Sequence, residues 1–145
     1  MYLISSKEFK SQSLNLAKKS DNSSLLEPTN LNKDLFNKTE IKSQEICFIS
    51  KIKDEINTEL YKKNWFLKID VQGLEINVLK GANDLLEKFK YIYIELSFKE
   101  FYKSQILGWE IINFLENKKF KLIRSENCIY DKLELIQGDF LFKRT

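Results

Sequence analysis

Residues 65–97, WFLKIDVQGLEINVLKGANDLLEKFKYIYIELS, constrain the fold more tightly than the rest of the chain. Two short apolar runs, each ending in a carboxylate, enclose a segment of helical periodicity, which is the pattern of a β-α-β unit. Residues 65–70 are nearly continuously apolar and predict a strand buried on both faces. Gly73 breaks that strand. Leu74, Val78, Ala82, Leu85 and Phe89 then recur at helical spacing, and Ile76, Leu79 and Leu86 widen the apolar side to suit a helix lying on a sheet. Residues 91–96 form the next strand. The connection exceeds the dozen or so residues that a parallel crossover needs, and such crossovers are right-handed. Asp70 and Glu95 then fall at carboxyl ends of strands, where open α/β sheets bind ligands.

Downstream, an aromatic and polar loop (FKEFYKSQILG) leads to Trp109, Ile112, Phe114 and Leu115, which mark a second helix ending near Asn117. Residues 120–124 and 139–143 read as strands with no helix between them, so they pair antiparallel at a sheet edge. The intervening SENCIYDKLELIQG reads as a turn-rich connection. Residues 1 to about 60 form a polar, weakly patterned lead-in. Within it, strands are expected at residues 2–4 and 45–50 and a short helix at 52–61; residues 5–22 and 30–43 are polar, and SSLLEP is a loop closed by the single proline. The expectation is one α/β domain over residues 1–145, with a weakly ordered lead-in and a β-α-β-α-β-β core over 65–145.

Composition excludes several function classes. A net charge of +3, carried almost wholly by Lys with Arg only at 124 and 144, makes no strong demand for nucleic acid. No apolar run approaches the roughly 20 residues of a membrane span. The amino end has no apolar stretch of signal-peptide length, so a cytoplasmic location is expected. Histidine is absent. This removes Ser-His-Asp and Cys-His nucleophiles and the HExxH zinc motif, and leaves Asp, Glu, Lys or Tyr as general base. Cys47 and Cys128 have no CxxC partner, so free thiols are expected and no metal site. Glycines stand only at 73, 81, 108 and 138, so neither GxGxxG nor a phosphate loop can be written.

Six positions are weighed for chemistry against a structural role. Asp70 can hold a substrate hydroxyl or a cofactor, or can cap the following helix or pair with a nearby Lys. Glu75 falls in the first helical turn, where the helix dipole favours an acid, so its structural and functional roles do not separate in sequence. Glu95 interrupts a strand expected to be buried, where an acid is costly unless paired or at the rim. Gly73 permits a tight turn, while Lys80 and Gly81 in mid-helix read as a solvated cation and a close-packing residue.

The run FLKIDVQGLEINVLKGANDLL resembles the core signature of the FkbM family of S-adenosylmethionine-dependent methyltransferases, most closely over residues 67–82. YIYIELSFKEFY, IINFLENKKFKLI and QGDFLFKR are similar to that family's following strand and loop, helix and strand, and closing strand, and SSLLEP and EICFISKIKDEI resemble weaker features upstream. The resemblance implies a partial class I, Rossmann-like methyltransferase domain, with parallel strands and an antiparallel strand pair near the carboxyl terminus. It implies transfer of a methyl group from S-adenosylmethionine to a hydroxyl of a sugar or similar small molecule. On it, Asp70 is the first candidate to orient or deprotonate the acceptor and Glu95 the second; Gln72, Gly73 and Glu75 shape the pocket. The family's Gly-rich loop of form DvGAnxG has no counterpart in this chain. The alternative is therefore an inactive methyltransferase-like fragment, or a half-domain whose missing amino-terminal part a partner chain supplies. No nucleic-acid or membrane partner is expected.

Overall fold

The computed structural model describes residues 2–4, 10–19, 22–36, 39–50 and 64–145. Two sheets form. The first has β1 (Tyr2–Ile4), β2 (Lys10–Ala17) and β3 (Ile41–Ser50) in the order β1-β3-β2, with β3 parallel to β1 and antiparallel to β2. Between β2 and β3 lies α1 (Asn30–Leu35), whose first turn is capped by Thr29 Oγ1 accepting from the Asn32 N–H at 3.3 Å. The strand at residues 2–4 is where the sequence places it, and β3 covers the expected 45–50 but begins at Ile41; β2, α1 and the start of β3 fall in stretches read as merely polar. In β2, Ser11, Gln12 and Ser13 are exposed, and Leu14, Asn15 and Ala17 are buried. Backbone pairing with β3, and not an apolar pattern, makes this a strand. The helix expected over 52–61 lies outside the described residues.

The second sheet has β4 (Trp65–Ile69), β5 (Phe89–Ser97), β6 (Phe120–Asp131) and β7 (Glu134–Arg144) in the order β4-β5-β7-β6. β4 and β5 are parallel, and β7 runs antiparallel to both β5 and β6. Helix α2 (Glu75–Ala82), extended by a 3-10 turn over Asn83–Lys88, crosses from β4 to β5. Helix α3 (Gly108–Asn117) crosses from β5 to β6. The element order β-α-β-α-β-β is the one the periodicity predicts.

Two expectations need correcting. The connection read as turn-rich is mostly strand: β6 and β7 form a long hairpin whose turn is Lys132 (φ +55°) and the 96% exposed Leu133. Its pairing register shifts between Leu122 and Arg124 and again between Glu126 and Ile129. Such bulges break the alternation by which a strand is recognised. The second correction concerns β4. Ile69 is buried, but Phe66 and Lys68 are exposed. Phe66-Leu67-Lys68-Ile69 is a two-residue alternation, and only one face of this strand is covered among the described residues.

The covered face carries the core. Ile69, Ile92, Ile94, Leu96, Phe140 and Phe142 from the sheet pack with Leu79, Ala82, Leu86, Ile111 and Leu115 from α2, the turn after it and α3. Gly108 opens α3 against this core; a Cβ there would stand 2.7 Å from the Phe98 ring. A smaller apolar cluster joins Phe101, Tyr102 and Ile136 to Leu26 and Phe36. Along it the Thr29 N–H donates to the Phe101 carbonyl at 2.8 Å and the Lys103 N–H to the Glu27 carbonyl at 2.9 Å. Residues 22–29 are thereby held against the loop that follows β5. No helix among the described residues is long and apolar enough to cross a membrane.

Candidate functional site

The chain leaves β4 through Asp70 and Val71 and reverses at Gln72 (φ +51°) and Gly73 (φ +98°) before entering α2. Two consecutive left-handed residues make the turn tight. Glycine takes this conformation freely, and its bare Cα is needed, because a Cβ would lie 3.1 Å from both Leu26 Cδ1 and Tyr102 Cβ. For Gln72 the same conformation costs about 1 kcal/mol or more. Hydrogen bonds offset it. Ser24 Oγ donates to the Gln72 carbonyl at 2.6 Å. The Gln72 side-chain Nε2 donates to Asp70 Oδ1 at 2.9 Å and to Glu95 Oε2 at 3.1 Å, and Oε1 accepts from the Tyr102 hydroxyl at 2.8 Å. Both amide hydrogens are thus used, one on each carboxylate.

The structure therefore joins the two predicted catalytic carboxylates through a third predicted site residue. Glu95 sits near the end of β5, with Asp139 of β7 as its cross-strand partner. Partial burial is the main reason its carboxyl is pushed up to about 7; the charges of Asp70, Asp139 and Glu75 push the same way, and the hydrogen bond from Gln72 pulls back. Asp70 is more open, with Lys68 Nζ 3.9 Å away across solvent. An exposed pair of that kind contributes little.

Glu75 turns to the backbone. It is the first residue of α2, is 3% exposed, and its Oε1 accepts from the Gly73 N–H at 3.0 Å. Burial raises its pKa, and backbone N–H groups of Glu75, Gly73 and Val71 oppose the rise. Its carboxyl holds the turn that presents Gln72. Lys80 is exposed and Gly81 buried, as a solvated cation and a packing residue would be. Cys47 is a buried free thiol, Cys128 a partly buried one. Among the described residues no group of His, Cys, Asp and Glu is arranged to hold a metal ion.

Tyr102 is the site residue that the sequence does not disclose. It lies in the aromatic loop after β5, 4% exposed, and burial pushes its phenol up to about 12 with the help of the nearby carboxylates. In sequence it is one aromatic among several in FKEFYKS, and nothing local links it to Gln72, thirty positions upstream. Ser24, a site neighbour from SSLLEP, is equally hidden.

Two carboxylates at the ends of adjacent parallel strands, one with a proton affinity near neutrality, can hold a hydroxyl group and accept its proton. No curated protein and no solved structure matched the chain. The family model described as the methyltransferase FkbM domain matches residues 2–122. That span takes in the first sheet, β4, β5 and the start of β6, and with them Ser24, Asp70, Gln72, Gly73, Glu75, Glu95 and Tyr102; β7 with Asp139 lies beyond it. With most of its length so matched, the chain belongs to the FkbM methyltransferase domain family.

Proposed function

We propose that this chain transfers the methyl group of S-adenosylmethionine to a hydroxyl oxygen of a small molecule, with a sugar as the first acceptor class to try. The observation that carries the reading is Glu95, whose carboxyl is pushed up to about 7, beside Asp70 on the shared Gln72 amide. A general base works best when its proton affinity lies near the working pH. Glu95 takes the hydroxyl proton, and Asp70, the more open of the two, orients the hydroxyl. This reverses the order in which the sequence ranks them. The sheet order β4-β5-β7-β6, with the reversed β7 between β5 and β6, supports the Rossmann-like class I assignment.

The cofactor, when bound, supplies an electrophilic methyl group. The carboxylates suit the acceptor side of that chemistry. A nucleoside cradle is another matter: among the described residues the space over Gly73 is filled by Leu26 and Tyr102, and no Gly-rich loop stands at a strand end. The test is a calorimetric titration of the chain with S-adenosylmethionine and S-adenosylhomocysteine. Saturable micromolar binding supports the reading, and a folded chain that binds neither overturns it. In the methyl-transfer assay, Asp70→Asn should lower turnover about 10- to 100-fold, the loss of a charge-assisted hydrogen bond to the acceptor. Turnover equal to that of the parent would remove Asp70 from the site.

One observation favours a second reading, a half-domain that docks onto a partner chain. The outer edge of β4 pairs with no strand among the described residues, and beside it Phe66 is 60% exposed. Such an edge invites pairing. Light scattering after size exclusion separates the two: a monomer that binds the cofactor supports catalysis by this chain, and a cofactor-blind chain that binds only within a hetero-complex supports docking.

A further inference from the structure

We propose that Tyr102 is a positioning residue: its hydroxyl fixes the Gln72 amide so that nitrogen, and not oxygen, faces Asp70 and Glu95. The proposal rests on the reading of those two carboxylates as the acid–base pair.

A glutamine side chain can present either end to its neighbours, and the two ends are nearly isosteric. With the oxygen inward, Gln72 would set a third acceptor against two carboxylates. With the nitrogen inward, it gives one hydrogen to each. The choice is made at the other end of the amide, where the Tyr102 hydroxyl donates to Oε1 at 2.8 Å. A second acceptor, the Asn22 carbonyl, is farther from the hydroxyl at 3.3 Å. The ring of Tyr102 cannot swing away, because it is buried and lies against Gly73 and Leu26. The Gln72 backbone is pinned separately by Ser24 Oγ. Both ends of the residue are thus held by segments remote in sequence from β4.

The consequence falls on Glu95. The ionisable groups that face it are acidic on every side: Asp70 beyond β4, Glu75 on α2 and Asp139 on β7. Across the sheet, Glu126 of β6 lies opposite Asp139, and Asn127 Nδ2 donates to Asp139 at 2.7 Å. Gln72 supplies the donor set against these charges, so the direction in which its amide points governs the ionisation of Glu95. Tyr102 touches neither carboxylate in this arrangement and acts through Gln72 alone.

The test is a carbon-detected NMR titration of the Glu95 carboxyl in the full chain, comparing the parent with Tyr102→Phe and Gln72→Leu. Phenylalanine keeps the ring and its packing and removes only the hydroxyl. Gln72→Leu removes the donor outright and should raise the Glu95 midpoint by about one unit, since a hydrogen bond to the charged form favours that form. Tyr102→Phe, which frees the amide to turn, should raise it in the same direction by roughly a third of a unit or more. A Tyr102→Phe midpoint that coincides with the parent's, while Gln72→Leu shifts it, would show that Tyr102 only packs and would overturn the proposal. So would a Gln72→Leu midpoint that stays in place, because then no amide bridge exists to be positioned. No methyl donor enters the measurement. Raised midpoints in a chain that binds no cofactor would sink the methyltransferase reading alone, and unmoved midpoints in an active enzyme would sink the positioning role alone.

Discussion

Glu95→Gln should lower methyl-transfer turnover by about 10²- to 10⁴-fold, the usual contribution of a positioned general base, and should at the same time make the protein more stable above neutral pH. The two effects share one cause. Glu95 has its carboxyl pushed up to about 7 from an ordinary 4.5, chiefly by burial and then by the charges of Asp70, Asp139 and Glu75. Between those two values the folded chain binds more protons at this site than the unfolded chain does. Stability contributed by the site therefore falls as pH rises through that window, and above it the ionised carboxylate is a destabilising group. Glutamine stays neutral throughout and can still accept the hydrogen bond from Gln72. The gain at pH 8 is on the order of 2 kcal/mol after allowance for the part of Glu95 that solvent reaches. That corresponds to a rise in Tm of roughly 5 °C for a chain of this size. At pH 4.5 the gain should vanish, because the parent is then largely protonated too. Thermal melts of the two proteins at pH 4.5 and pH 8 measure the difference. Equal melting differences at the two pH values, or a variant less stable at pH 8, would contradict the assignment. In the parent enzyme turnover should climb as pH passes through about 7, because the base acts only when deprotonated.

The cost of placing a carboxyl group in a partly buried strand is also why Glu95 was legible in the sequence. A carboxylate within YIYIELS breaks a strand pattern without local compensation, and such breaks concentrate at functional sites. Asp70 and Gly73 were legible for a related reason: a strand, an acid and a glycine before a helical period specify a turn at a strand end, whereas Gln72 enters only through the resemblance to the family signature. The element order after residue 64 followed from periods of two and of 3.6, which local packing enforces on every residue of an element. What stayed hidden depended on partners distant in sequence. Tyr102 and Ser24 reach Gln72 from thirty positions downstream and forty-eight upstream, and no local pattern announces either bond. β2 is a strand because β3 runs beside it, although Ser11, Gln12 and Ser13 are exposed polar residues. In the hairpin of β6 and β7, bulges scramble the alternation while the backbone pairing continues. Glu75 was visible as a first-turn acid, but only the structure shows its carboxyl accepting from the Gly73 N–H.

The apolar density of residues 65–70 suggested a strand covered on both faces, and the exposure of Phe66 and Lys68 gives that error a measurable form. Two phenylalanines of the same sheet should respond to truncation in opposite ways. Phe142 is fully buried on β7, the strand that joins β5 to β6, and its cross-strand neighbours are Ile92 and Leu122. Phe142→Ala removes most of a buried ring and leaves a cavity that the flanking strands cannot close, so it should cost about 3–5 kcal/mol. Against a typical domain stability of about 5–15 kcal/mol, that loss unfolds a large fraction of the molecules under mild denaturant. Phe66 stands on the open face of β4, 60% exposed. Phe66→Ala should change stability by no more than about 0.5 kcal/mol, as surface substitutions do. Urea unfolding followed by tryptophan fluorescence measures both, with the slope of the transition checked for constancy. A Phe66→Ala variant that loses as much as Phe142→Ala would mean that the open face is covered in solution. The edge of β4 that pairs with no strand among the described residues would then be a candidate interface, and the half-domain reading would displace catalysis by this chain alone.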